Sequence, residues 1–93
     1  YNAGNDITTG VKNTLVGANT GDTITTGGYN TALGWDSLAA TTVGEYNVAI
    51  GGQSMLVNVD GSRNTALGYG SLQTMEPDSA SDTYNVAVGF KTR

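Results

Sequence analysis

Five copies of one short motif, set at a nearly fixed interval, occupy this chain and leave few ways to fold it. Asn-[Thr/Val]-[Ala/Leu]-[Leu/Ile/Val]-Gly occurs at 13–17, 30–34, 47–51, 64–68 and 85–89, with the asparagines stepping by 17, 17, 17 and 21 residues. A second glycine lies three residues before the asparagine at Gly10, Gly27, Gly44 and Gly61, and Asp82 takes that place in the last copy. Three residues after the motif glycine comes a small, usually hydroxylated residue: Ala3, Thr20, Ser37, Ser54, Ser71 or Thr92. A unit this short with two turn points cannot hold a helix pair, but it fits one pass of short strands in a stacked solenoid. Glycine, threonine and asparagine content disfavours helix independently. The expected fold is therefore all-β, a parallel β-solenoid of about five 17-residue coils running through residues 1–93 as one repeat segment.

The longer last interval places four extra residues between Leu72 and Tyr84, a stretch holding the only proline and three of the eight acidic residues. Stacked strands cannot absorb additions without losing register, so a surface loop is expected at 73–83.

Within each motif the side chains alternate between two faces. Val16, Leu33, Ile50, Leu67 and Val88 form an aliphatic ladder, which is expected to fill the interior of the coil. Ala32, Ala49, Ala66 and Ala87 share the opposite face, with Leu15 as the exception. Alanine suits a solvated strand poorly, so that ladder is expected to meet the same face of other protomers around an axis. Oligomerisation would supply the burial that this chain lacks, because only 38% of its 93 residues are hydrophobic and it has no cysteine for a disulfide. The asparagines Asn13, Asn30, Asn47, Asn64 and Asn85 are expected to form a corner ladder, bonded to one another and to turn backbone. All seven aromatics flank the motif: Tyr29, Tyr46 and Tyr84 before the asparagine, and Tyr1, Trp35, Tyr69 and Phe90 after the glycine. They are expected to stack between coils, with Trp35 and Tyr69 the first candidates for receptor contact.

Composition narrows function. With neither histidine nor cysteine, Ser-His-Asp chemistry, thiolate chemistry and nearly all zinc sites are excluded, and no catalytic, cofactor-binding or metal-binding residue is expected. A net charge of −4 argues against nucleic acid and anionic membrane surfaces as partners. No apolar run approaches the roughly 20 residues of a membrane helix, so no membrane insertion is expected.

Asn47-Val48-Ala49-Ile50-Gly51-Gly52-Gln53-Ser54 resembles the head repeats of trimeric autotransporter adhesins, whose consensus is Asn-Ser-Val-Ala-Ile-Gly followed by serine or threonine. The form Tyr-Asn-Thr-Ala-Leu-Gly-aromatic-x-Ser-Leu at 29–38 is similar to repeats of bacteriophage tail fibres and related bacterial fibres. The longer period, and threonine or valine in place of the serine after asparagine, favour the fibre relatives. The resemblance implies a left-handed parallel β-roll assembled as a homotrimer. It would be extracellular, on a virion tail fibre or bacterial surface, and would support or mediate attachment to a host glycan or protein. Two alternatives stand beside it. A polysaccharide-degrading tailspike-type solenoid needs paired carboxylates about 5–9.5 Å apart, whereas Asp36, Glu45 and Asp60 fall at different repeat phases and only Glu76 and Asp78 are neighbours. An ice-binding solenoid needs a regular threonine array, whereas Thr23-Ile24-Thr25 has no partner in register.

Overall fold

The computed structural model describes residues 3–58, 61–72, 74–75, 81–82 and 85–91. Among these there is no helix, and the strands are β1 (Thr14–Val16), β2 (Thr31–Leu33), β3 (Val48–Ile50), β4 (Val57–Asn58), β5 (Gly61–Ser62), β6 (Thr65–Leu67), β7 (Thr74–Met75), β8 (Ser81–Asp82) and β9 (Val86–Val88). Every motif copy is a strand. They line up as one parallel sheet in the order β1-β2-β3-β6-β9, while β4 pairs with β7 and β5 with β8. The fold is a parallel β-solenoid.

The register follows the sequence period. Thr14 pairs with Thr31, Thr31 with Val48 and Val48 with Thr65, each step being 17 residues. Val57 still pairs with Thr74, but Gly61 pairs with Ser81, 20 residues on, and Thr65 with Val86, 21 on. Three of the four inserted residues therefore enter between Met75 and Ser81, and the fourth enters between Asp82 and Val86. The expected loop at 73–83 is bounded more tightly than the sequence indicated, since β7 and β8 occupy part of it. Residues 73, 76–80 and 83 lie outside the described residues.

The interior is the reverse of the expected one. Ala32, Ala49, Ala66 and Ala87 are buried, whereas Val16, Leu33, Leu67 and Val88 are between 45% and 65% exposed and Ile50 is half-buried. The alanine ladder points into the coil and the aliphatic ladder points out. The reason is room. Behind the alanines a second column, Leu38, Met55 and Leu72, fills the coil from its opposite wall, and the two columns form one apolar cluster. A third column holds the small hydroxyls of Thr20, Ser37, Ser54 and Ser71, all buried. Only a methyl group fits between the sheet and that wall, so the alternation of the strand sends the larger side chains outward.

Leu15 explains itself in this frame. It stands in the alanine column, and the residue in its pass that corresponds to Leu38 is Gly21. A Cβ on Gly21 would lie 2.8 Å from Leu15 Cδ2, so the two positions exchange volume and the pass stays filled.

Candidate interaction surface

The corners are built from hydrogen bonds that run along the stack. Asn13, Asn30, Asn47 and Asn64 each accept, through Oδ1, the backbone N–H of the next asparagine at 2.9–3.0 Å. The amides of Asn13, Asn30 and Asn47 donate to the carbonyls of Gly27, Gly44 and Gly61 at 2.9–3.0 Å. Asn47 and Asn64 also donate through Nδ2 to the preceding Oδ1 at 3.1 and 3.2 Å. Asn30, Asn47 and Asn64 are fully buried, so this network satisfies polar groups that burial would otherwise leave stranded.

At the other end of each strand, Ser37, Ser54 and Ser71 donate to the carbonyls of Gly34, Gly51 and Gly68 at 3.2, 2.9 and 3.0 Å. Those glycines carry φ between 121° and 128°. A Cβ on Gly34 would lie 2.7 Å from the carbonyl carbon of Gly51, so the stack admits no side chain there.

The left-handed residue at the asparagine corner is the one before the asparagine. Lys12, Tyr29, Tyr46 and Arg63 all take φ near 60°, a conformation in which bulky side chains are rare. Their backbones are stitched together, Tyr29 N–H donating to Val11 O, Tyr46 N–H to Gly28 O and Arg63 N–H to Glu45 O. Tyr29 and Tyr46 stack with centroids 4.9 Å apart, Lys12 Nζ lies 5.3 Å from the Tyr29 ring centre, and the Arg63 guanidinium lies 4.8 Å from that of Tyr46. Two cations thus cap a tyrosine pair, an arrangement the sequence did not disclose because the column mixes residue types.

A second column follows the strands: Ala18, Trp35, Gly52, Tyr69 and Phe90. Its register is fixed by Asp36 N–H to Ala18 O, Gln53 N–H to Trp35 O, Gly70 N–H to Gly52 O and Lys91 N–H to Tyr69 O. Tyr69 stacks on Phe90 at 5.5 Å and donates its hydroxyl to Gln53 Oε1 at 3.2 Å. Trp35 is 50% exposed and makes no ring contact among the described residues.

Between these two flanks lies the outward side of the sheet. One column is Val16, Leu33, Ile50, Leu67 and Val88, and the neighbouring one is Thr14, Thr31, Val48, Thr65 and Val86. Valine interrupts the threonines twice. The threonines of Thr23-Ile24-Thr25 are turned to other uses: Ile24 is buried, Thr23 donates to Ala39 O and Thr41 O, and Thr25 donates to Thr42 O. Of the carboxylates weighed for hydrolysis, Asp36 belongs to the flank after the strands and Glu45 to the flank before them, while Asp60, Glu76 and Asp78 lie outside the described residues. The sheet face and its aromatic borders are therefore the candidate site, with features for contact by another surface. No protein family, no curated protein and no solved structure matches the chain.

Proposed function

We propose that this chain is a segment of a homotrimeric extracellular fibre, a left-handed parallel β-roll of 17-residue coils on a virion tail fibre or bacterial surface that supports or mediates attachment. The observation that carries this reading is the outward aliphatic ladder, Val16, Leu33, Ile50, Leu67 and Val88, set in register on one face of a thin coil. Isolated apolar residues on a surface need no explanation, but a contiguous row bordered by Tyr29, Tyr46, Trp35 and Tyr69 marks an interface. The assembly surface of this reading is thus the aliphatic ladder and not the alanine ladder, whose side chains the coil itself encloses. The resemblance of the motif to fibre repeats points the same way.

Light scattering on the folded chain should report three copies per particle, and a folded monomer at micromolar concentration overturns the reading. Removing residues 76–80 from the intact fibre and measuring adhesion tests the attachment role of the insertion. Unchanged adhesion in this variant and in one with Trp35 and Tyr69 replaced by serine assigns this segment to the shaft and recognition to another part of the protein.

A further inference from the structure

We infer that the two flanking columns meet each other across neighbouring protomers, so that an aromatic seam closes each of the three vertices of the assembly. This rests on the trimeric reading and specifies the contact that fixes its register.

Three copies related by rotation about an axis parallel to the stack, each turning its sheet inward, form a triangular prism. Each strand then runs along one side of the triangle, and its end approaches the start of the strand in the next copy. The occupant of each flank is therefore a second copy of this chain. Half of the usual ~10 Å separation between packed sheets puts each sheet about 5 Å from the axis, which sets the side of the triangle at about 17 Å. Tyr29 and Trp35, which bracket β2, are six residues apart, about 20 Å if fully extended at ~3.3 Å per residue and less with the turns at either end. The strand with its two flanks is thus as long as the side of the triangle. A prism of two sheets would leave both flanks unopposed, and a larger ring would leave a gap at the axis that these side chains could not fill.

Rotation brings together residues of the same pass, and their sizes are complementary. The residue before each motif asparagine faces the residue after the motif glycine of the neighbouring chain: Lys12 with Ala18, Tyr29 with Trp35, Tyr46 with Gly52, and Arg63 with Tyr69. Tyr84 and Phe90 hold the corresponding places in the last copy, so by sequence a large side chain meets a small one twice, an aromatic meets an aromatic twice, and a cation meets an aromatic once. Ala18 and Gly52 interrupt the aromatic column, and at Gly52 the Tyr69 ring of the same chain covers the backbone, with Cδ2 3.3 Å from where a Cβ would stand, so Tyr46 of the neighbour would meet the edge of that ring. The seam also gives Trp35 a ring partner that it lacks among the described residues of its own chain. With five strands at ~4.8 Å spacing, the face and its flanks cover about 24 by 20 Å in plan. Such a surface is several hundred Å2, comparable to the largest patch on a monomer and a little over half of the ~800 Å2 that one partner buries in a standard interface.

The chain has no cysteine, so paired cysteines report the seam without background. Tyr29→Cys and Trp35→Cys placed in one chain are too far apart to bond within it, since a disulfide needs Cα atoms within about 7 Å. Mild oxidation should give a covalent trimer on a non-reducing gel, and either substitution alone should give only single chains. A particle that scatters as a trimer but yields no cross-link in the double variant overturns the seam and leaves the trimer standing. A parent chain that scatters as a monomer or dimer overturns both. The parent gives a second measurement that needs no substitution, because Trp35 is its only tryptophan. Its emission should shift to longer wavelength as dilution dissociates the particle, and an emission unchanged through dissociation contradicts the seam.

Discussion

The side chain of Leu15 occupies the space that a side chain on Gly21 would need. Cδ2 of the leucine lies 2.8 Å from where that Cβ would stand, and Cδ1 lies 2.9 Å from it. The other passes solve the same packing problem the other way round, with Ala32, Ala49 and Ala66 on the sheet and Leu38, Met55 and Leu72 on the wall. In the first pass Ile24 Cδ1 also lies 2.9 Å from that Cβ position, where the next pass has Thr41, so Leu15 and Ile24 together fill the space above Gly21.

This exchange predicts strong coupling. Leu15→Ala alone opens a cavity and should destabilise by about 2–4 kcal/mol, while Gly21→Leu alone overpacks the pass and should cost about 1–3 kcal/mol. The double variant places alanine and leucine where the next pass has Ala32 and Leu38, beside Ile24 where that pass has Thr41, and Leu38 already adopts φ near 52°, close to the 57° of Gly21. Urea unfolding should show the double variant more stable than either single one. Additive losses would mean that the two positions do not share one space.

The buried asparagines should differ from the one at the edge of the network. Asn47→Ala removes the acceptor for Asn64 N–H and the donor to Gly61 O, and losing these buried hydrogen bonds should cost about 1–3 kcal/mol each. Asn13 is only half-buried, and water can replace part of what Asn13→Ala removes. Denaturant midpoints should fall clearly further for Asn47→Ala than for Asn13→Ala. Equal losses would show that burial does not govern the ladder.

Strain at the tyrosine corner has its own signature. Lys12→Gly relieves a left-handed backbone worth about 1 kcal/mol and gives up only an exposed cation–ring contact of similar size, so stability should stay within about 1 kcal/mol of the parent. Tyr46→Gly relieves the same strain but loses the stack on Tyr29 and the contact with Arg63. Thermal unfolding should leave the first variant close to the parent and lower the second. A stabilised Tyr46→Gly would show that the stack contributes less than the strain.

What the sequence disclosed, and what it withheld, follows from the kind of information a repeat carries. The spacing of the asparagines gives strand positions and pairing directly, because residues at equal phase must stack, and β1, β2, β3, β6 and β9 fall on the five motif copies. The choice of inward face was not settled by alternation, since Ala32 and Leu33 are both apolar and polarity does not separate the two sides. Size separates them, and size becomes decisive only once the opposing wall is known. That wall was readable in principle from Leu38, Met55 and Leu72, which recur at the same interval with Gly21 before them. The left-handed position before each asparagine was hidden because its occupants, Lys12, Tyr29, Tyr46 and Arg63, are not residues that announce such a backbone. The asparagines, which do, serve as hydrogen-bonding posts beside it.

Inward alanines and an outward aliphatic ladder are distinguished most directly by comparing Ala49→Glu with Leu33→Asp, using circular dichroism for fold and sedimentation for size. Ala49 is fully buried, so a glutamate there places bulk and an unpaired charge inside the coil, at a cost of several kcal/mol. That chain should lose its β signal. Leu33 is 46% exposed, so the aspartate should leave the coil folded while three like charges converging on the axis prevent association. The expected result is an unfolded Ala49→Glu chain and a β-folded Leu33→Asp chain that sediments as a monomer while the parent sediments as a trimer. An unfolded Leu33→Asp chain beside a folded, dissociated Ala49→Glu chain would contradict the assignment of the two faces.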